Sequence, residues 1–85
     1  EIAELDISLQ PKILRIIEND EIQVVGGGML RNRARVIAST SRDMKSMVNS
    51  GEFRSDLFYR LNVFELQIPP LRDRRDDLRE MIEFF

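Results

Sequence analysis

The chain has 85 residues, of which 42% are apolar and 33% charged, and its formal net charge is −2. This length allows one domain or part of one, and the acidic balance argues against a generally basic nucleic-acid-binding protein. Because the sequence contains neither cysteine nor histidine, it excludes disulfides, thiolate and imidazole zinc sites, and catalytic triads built on histidine.

The first half of the chain predicts a helix, a glycine turn and a buried strand. Residues 8–19 have apolar side chains at helical spacing, with Ser8 as the cap and Pro11 in the first turn. The run EIQVVGGGML predicts a short strand and a turn whose glycines supply positive φ angles. The apolar run at 36–38 predicts a strand buried on both faces, as in a parallel sheet. The predicted apolar face of the helix consists of Leu9, Ile13, Ile16 and Ile17.

The middle of the chain predicts two short helices. Residues 40–49 form the first, with Asp43 three residues after Thr40 as a capping-box variant and Gly51 as the stop. The stretch FRSDLFYRL predicts the second, and six helical steps leave its two arginines about 120° apart, so each points away from the core in its own direction. The predicted buried faces are Met44, Met47 and Val48 for the first helix, and Phe53, Leu57, Phe58 and Leu61 for the second.

The last third of the chain predicts a strand and a final helix. NVFELQIPP alternates apolar and polar side chains until Pro69-Pro70 ends the strand. Residues 71–85 predict a charged turn and then a helix, with Asp73 as the candidate cap. The predicted stripe of this helix consists of Leu78, Met81, Ile82 and Phe85.

The order of these elements contains a strand–helix–strand crossover, which predicts an α/β fold with a parallel sheet. Two central strands are too few for a self-sufficient sheet. Neither the opening EIAEL nor the apolar end at 84–85 resembles the polar, flexible boundary of a domain. We therefore expect a piece of a larger domain.

Two further patterns suggest binding sites, and each has a simpler explanation. The three glycines at 26–28 suggest a phosphate loop, but the required GxxxxGK[ST] motif is absent from the sequence. A hairpin or a mobile loop fits them better. Arg31, Arg33 and Arg35 recur at period two, which predicts a solvated strand face rather than a nucleic-acid site, since the net charge is negative and no aromatic residues are interleaved.

Four blocks occur in order along the chain: EIAELDISLQPKILRIIE, VVGG, RVIASTSRDM and GEFRSDLFYRLNVFELQIPPLRDRRDDL. Together they resemble the second half of the AAA+ ATPase domain of sigma-54-dependent transcriptional activators, the bacterial enhancer-binding proteins. The resemblance implies that residues 1–85 run from the end of Walker B through sensor I and the arginine fingers to the helix after PPLR. The implied fold is α/β, a fragment of a P-loop AAA+ domain with parallel central strands flanked by helices and a short β-hairpin.

The resemblance implies a catalytic role for three residues. Glu1 corresponds to the Walker B glutamate that polarises the attacking water. Arg54 and Arg60 correspond to arginines that reach the nucleotide of the neighbouring protomer, where a guanidinium stabilises charge on the transferring phosphoryl group. From the residues alone, the simpler interpretation is that Glu1 is an exposed terminal carboxylate beside a helix and that one or both arginines pair with Asp56 or Glu52 on a solvated helix surface.

Thr40 and Ser41 correspond to sensor I, the nucleotide-sensing Thr-Asn motif at the end of a central strand. Ser41 replaces the asparagine that links the glutamate to the γ-phosphate, and it is shorter and lacks the paired donors and acceptor of an amide. The alternative role for both residues is to cap the following helix.

Val25, Gly26, Gly27 and Gly28 correspond to the second pore-side loop, which moves with nucleotide state and assists the loop that contacts the polymerase. Val24 stands where the family usually has an arginine.

The function implied by the resemblance is ATP hydrolysis, with Mg²⁺, by a ring that is hexameric in the family and remodels sigma-54 RNA polymerase in the cytoplasm. DNA is contacted through a separate domain, and no membrane partner is expected, because no apolar run is long enough to span one. Since the 85 residues lack Walker A and the helical lid, we expect them alone to bind no metal and neither to bind ATP tightly nor to hydrolyse it. The alternative is a non-catalytic interaction or oligomerisation module from a truncated or degenerate AAA+ protein.

Overall fold

The structure is a computed structural model that describes residues 1–19, 21–31 and 34–85. The described residues form helices, one two-stranded hairpin and two short 3₁₀ turns. In chain order these are the first 3₁₀ turn (Ile2–Glu4), α1 (Gln10–Asn19), β1 (Glu21–Gln23), β2 (Met29–Arg31), α2 (Met44–Ser50), α3 (Ser55–Leu61), the second 3₁₀ turn (Leu71–Asp73) and α4 (Arg75–Phe84).

Helix α1 begins two residues later than the sequence predicts. The Oδ1 atom of Asp6 accepts hydrogen bonds from the backbone N–H of Ser8 at 2.8 Å and from its hydroxyl at 2.6 Å. This Asx-type turn occupies the Ser8 side chain before the helix starts at Gln10, so the prediction that Ser8 caps the helix is wrong. The same two hydrogen bonds, the hydroxyl bond first, lower the pKa of Asp6.

The predicted strand and glycine turn form an antiparallel hairpin. Glu21 pairs with Arg31 and Gln23 with Met29. The backbone N–H of Val24 donates to the carbonyl of Gly28 at 3.1 Å, and the glycines between the strands have positive φ. The hairpin prediction is confirmed, because only glycine adopts these backbone angles without strain.

Helix α2 is shorter than the predicted 40–49 and has a different cap. Asp43 is the N-cap itself, and its Oδ1 accepts from the backbone N–H of Ser46 at 3.3 Å. At the other end Gly51 has φ +81°, and the N–H of Glu52 donates to the carbonyl of Met47 at 3.0 Å. This is a Schellman ending, so the predicted stop at Gly51 is confirmed while the predicted start is corrected.

The core lies where α1 and α2 pack against α3. Phe53 and Leu57 are almost completely buried, as their predicted stripe requires, and Met47 joins them from α2. The apolar face of α1 differs from the prediction, since Leu9 is exposed and Leu14 packs on the core instead. The buried apolar residues are Ala3, Met47, Phe53 and Leu57, and those packed against them are Ile2, Ile13, Leu14, Ile17, Met44, Val48, Phe58 and Leu61.

The two predicted central strands are not formed within the described part of the chain. The hairpin is the only sheet in those ranges, and the segments at 34–39 and 63–68 are neither helix nor strand. Ile37 is 93% exposed and Leu66 90% exposed. A parallel strand requires neighbours that pair with its backbone and cover both of its faces, and the described residues supply none.

Helix α4 packs on the second 3₁₀ turn and leaves its apolar stripe in solvent. Its N-cap position is Arg74 and carries no side-chain hydrogen bond, so the predicted Asp73 cap is wrong. The radius of gyration is 17.0 Å, whereas a compact domain of this length has about 12 Å. The elongated shape explains why Met81, Ile82 and Phe85 stay exposed instead of filling a core.

Candidate functional site

The structure brings Glu1 beside the segment that carries Thr40 and Ser41. The backbone N–H of Ile2 donates to the carbonyl of Ser39 at 2.8 Å. Glu1 and Ser39 also line one open cleft. Because Thr40 and Ser41 follow Ser39 directly, the segment that carries them lies beside the start of the chain, although no hydrogen bond among the described residues joins Glu1 to either of them.

The turn after Ser39 is organised by Thr40 and Arg42. The Oγ1 atom of Thr40 accepts from the backbone N–H of Arg42 at 3.0 Å, so Thr40 shapes this turn rather than capping α2. The guanidinium of Arg42 reaches Glu52 at 3.5 Å and Glu4 at 4.0 Å. Arg42, which no pattern in the sequence singled out, therefore links three loops, although exposed ion pairs of this kind contribute little stability.

Arg54 forms an ion pair within the chain. Its Nε donates to Oδ1 of Asp56 at 3.0 Å and its Nη2 to Oδ2 at 2.9 Å. This bidentate hydrogen bonding, more than the charge attraction, raises the pKa of Arg54, and the same contact lowers the pKa of Asp56 below 3.8. One of the alternatives left open by the sequence, pairing with Asp56, is therefore present.

We predict that Arg54→Ala raises the pKa of Asp56 toward 3.8, the value for a carboxyl without this partner. Because the folded-state pKa of Asp56 is depressed, the contribution of the pair to folding is present above the unfolded-state pKa and is lost as pH falls through the folded one. An NMR titration of the Asp56 carboxyl carbon measures the shift, with Arg79→Ala on α4 as the control that leaves it unchanged. An Asp56 pKa that does not move in Arg54→Ala contradicts the assignment of the pair.

Arg60 differs from Arg54 in having no such partner in the described part of the chain. Among residues 1–19, 21–31 and 34–85, no carboxylate pairs with its guanidinium. It is exposed in the last turn of α3 and lines an open cleft that also includes Val36 and Val63. An unpaired guanidinium at such a place is available for an external anion.

The predicted loop residues lie at the tip of the hairpin. Val25 is 100% exposed, and Gly26, Gly27 and Gly28 have open space where a Cβ would be. The positive φ angles, rather than close neighbours, are therefore what favours glycine there.

The arginine stripe predicted along a strand is not carried by one strand. Strand β2 ends at Arg31, and Arg35 lies in the 34–39 segment, outside any strand. Arg33 lies outside the described residues.

Sequence reasoning missed Gln10, the one buried polar residue in the described part of the chain. Its Nε2 donates to the carbonyls of Leu5 and Glu52, both at 3.2 Å, and its Oε1 accepts from the backbone N–H of Arg54 at 2.7 Å. A signal was present, since Gln10, Ile13, Leu14 and Ile17 follow the i, i+3, i+4, i+7 spacing of a buried helix face.

Residues 1–67 match the family model described as the sigma-54 interaction domain. The chain belongs to this family. It is 50% identical to the DNA-binding transcriptional activator HyfR of Escherichia coli K12, a match that covers 100% of this chain and 13% of HyfR. The regulatory protein AtoC of the same organism is 48% identical, over 100% of this chain and 19% of AtoC.

Among solved structures, the chain resembles NtrX from Brucella abortus in complex with ATP. The TM-score is 0.88 at 38% identity, and the match covers 99% of this chain and 20% of that one. This likeness fits a fragment of an AAA+ fold. The chain spans less than a fifth of the length of HyfR and of AtoC.

The described part of the chain contains no helix with the length and apolar character needed to cross a membrane. Within residues 1–19, 21–31 and 34–85, no cluster of three or more acidic side chains is placed to hold a metal ion.

Proposed function

We propose that these 85 residues are the part of an AAA+ domain that begins at the end of Walker B, in a bacterial sigma-54-dependent transcriptional activator. The complete domain forms a ring, hexameric as in the family, hydrolyses ATP with Mg²⁺ and remodels sigma-54 RNA polymerase in the cytoplasm. A separate domain contacts DNA. The hairpin tip, Val25 to Gly28, assists the contact with the polymerase.

The observation that supports this proposal is the backbone hydrogen bond that holds the start of the chain beside Ser39, the residue before Thr40 and Ser41. A carboxylate carried next to a hydroxyl-bearing turn suits a site that orients an attacking water and responds to a terminal phosphate. In the proposed mechanism Glu1 polarises the water, and Thr40 with Ser41 reads the state of the nucleotide. The magnesium ligands and the phosphate loop come from outside these residues.

The arginines act on the nucleotide of the neighbouring protomer in this proposal. Glu1 and Arg60 line two adjoining clefts that share Val36 and Leu61, and the proposal assigns the two residues to different nucleotide sites around the ring. Arg60, unpaired in the described residues, makes the direct contact with the transferring phosphoryl group. Arg54, held by Asp56 in the chain alone, reaches that site after exchanging its carboxylate partner for phosphate.

The parallel central sheet belongs to the complete domain. The 34–39 and 63–68 segments both border one groove, which Ser39, Phe64 and Leu66 line. We propose that a strand of the complete domain fills this groove and pairs with both segments, which covers apolar side chains that are exposed in the 85-residue chain.

A non-catalytic interaction module is the second candidate function. The bidentate Arg54–Asp56 pair favours it, because a guanidinium satisfied within its own chain has less to gain from a distant phosphate. In this alternative α3 contacts a neighbouring subunit without taking part in hydrolysis.

The substitution Glu1→Gln in the complete domain separates the two functions. It keeps the size of the side chain and removes the carboxylate, so we expect ATP binding within about twofold of wild type and turnover lowered at least ~100-fold. Turnover and nucleotide affinity are measured on the same assembled sample. Unchanged turnover contradicts the role of Glu1, whereas absence of turnover in wild type itself, with assembly intact, supports the interaction module.

A further inference from the structure

We propose that Gln10 is a positioning residue for Arg54, so that the start of α1 sets where the proposed arginine finger is presented to the neighbouring subunit. This inference rests on the proposed function. Gln10 has no exposed surface, and burial of an amide is favourable only when its polar atoms are hydrogen-bonded.

All three hydrogen bonds of the Gln10 amide are made with backbone groups. Two carbonyls, of Leu5 and Glu52, lie 3.2 Å from Nε2, which fixes this atom as the nitrogen and gives each of its hydrogens an acceptor. Oε1 is left to accept from the N–H of Arg54 at 2.7 Å, the shortest of the three contacts. The amide therefore has one orientation, and it places the Arg54 backbone.

The hydrogen bond from the Arg54 N–H to Gln10 lies at the start of α3. Arg54 is the N-cap of α3, with φ −71° and ψ 133°. The Arg54 side chain makes no capping hydrogen bond. The Gln10 oxygen instead binds the Arg54 N–H, where the loop after α2 ends and α3 begins. On either side of it, Phe53 is 1% exposed and Leu57 is 0% exposed. The backbone of Arg54 is thus held by a hydrogen bond and by its buried neighbours, while its guanidinium stays at the surface.

The other contacts of Gln10 link this point to the segment that carries Glu1. Leu5 follows the first 3₁₀ turn, and its carbonyl is one of the two acceptors of the amide. In a ring, Glu1 serves the nucleotide of its own subunit and Arg54 that of the next one. Gln10 therefore bridges the segment after Glu1, through Leu5, and the start of α3, through Arg54, and the Arg54 contact is the shorter of the two.

Mixed rings of the complete ATPase domain test which side Gln10 serves. Glu1→Gln subunits lack their own hydrolysis but donate Arg54, and Arg54→Ala subunits keep Glu1 but donate no finger. Mixing the two restores turnover only at boundaries where a Glu1→Gln subunit presents Arg54 to an Arg54→Ala subunit. Gln10→Met, which has similar volume and neither donates nor accepts strongly, is then placed in one subunit type or the other.

We expect Gln10→Met to lower the restored turnover about tenfold or more when it is in the subunit that donates Arg54. In the subunit that receives Arg54 it should change turnover less than about twofold. The loss should fall on kcat, with KM for ATP unchanged, because the receiving nucleotide pocket is intact. Equal loss in both placements, loss only in the receiving subunit, or no loss in either overturns the proposal.

Gln10→Ala covers the case in which Gln10→Met does not fold. Its small side chain leaves space for water to hydrogen-bond the carbonyls of Leu5 and Glu52, but it removes the acceptor that holds the Arg54 N–H. A loss of turnover confined to the donating subunit supports the proposal, and equal loss in both placements or no loss in either contradicts it. If the mixture without any Gln10 substitution shows no turnover, the trans role of Arg54 itself is wrong, and the Gln10 proposal falls with it.

Discussion

Arg60→Ala is expected to lower ATP turnover of the assembled complete domain by about 10³-fold or more, the range in which supplied arginine fingers act. The reason lies in the contrast between the two arginines near α3. Arg54 is held by Asp56, whereas Arg60 has no ion pair in the described part of the chain and lines an open cleft. An always-charged, forked donor that is free in the isolated chain is suited to reach a phosphoryl group across a boundary.

Two variants separate this role from general damage. Arg60→Lys keeps the charge but not the fork and should recover only a small part of the turnover. Arg79→Ala removes an exposed arginine of α4, outside the segment that matches the family, and should leave turnover unchanged. Nucleotide affinity and ring size should be those of wild type in all three variants. Turnover of Arg60→Ala within twofold of wild type, with rings intact, contradicts the finger role.

Leu57→Ala is expected to lower the free energy of unfolding of the 85-residue chain by about 3 kcal/mol, within the usual ~2–5 kcal/mol for a buried leucine. Leu57 has no exposed surface and lies in the core cluster with Phe53 and Met47. The substitution leaves a cavity where α1, α2 and α3 meet, and so small a core has few neighbours that can move to fill it. Urea unfolding followed by circular dichroism measures the change.

Leu66→Ala is the matched control, because the same atoms are removed from a side chain that is 90% exposed. In the 85-residue chain its effect should stay within about 0.5 kcal/mol. In the complete domain it should rise to about 2 kcal/mol or more, if the 63–68 segment becomes a buried strand as proposed. A Leu66→Ala effect that is small in both contexts contradicts the proposed sheet. A Leu57→Ala effect below about 1 kcal/mol contradicts the assignment of Leu57 to the core.

Local features of this fold were predictable wherever the determining interactions lie within a few residues. The three glycines at 26–28 predicted the hairpin turn, and Gly51 predicted the end of α2, because positive φ angles restrict the residue type. The apolar stripe predicted that Leu57 is buried, since helical spacing decides which side chains share a face. Phe53 is buried too, but α3 starts at Ser55, two residues later than the predicted helix, so Phe53 packs from the preceding loop. Caps were less predictable, because the geometry of each turn decides which side chain accepts an N–H: the Ser8 side chain bonds Asp6 instead of capping α1, and Asp43 rather than Thr40 caps α2.

The sheet could not be obtained from these residues because pairing requires a partner strand. Val36 to Ala38 has the composition of a strand buried on two faces, but composition creates no neighbour, and the described residues form no parallel sheet. The same cause leaves the stripe of α4 exposed. The family match and the likeness to NtrX support the prediction that such neighbours belong to a complete domain.

The candidate site was only partly accessible from the sequence. The resemblance selected Glu1, Thr40, Ser41 and the two arginines. The structure places the start of the chain beside Ser39 and distinguishes Arg54 from Arg60 by its pairing. The burial of Gln10 was not predicted, because a glutamine at the start of a helix is most often solvated. Its hydrogen bonds span 42 and 44 positions, and such distant partners become apparent only once the chain is folded.

The most direct test of the central claim is ATP turnover of the complete domain as a function of protein concentration. If the nucleotide site is completed by Arg60 of a neighbouring subunit, turnover per subunit is near zero at dilution and rises steeply over the concentration range in which rings assemble. Turnover per subunit that is constant across that range, measured alongside ring assembly, contradicts a site shared between subunits.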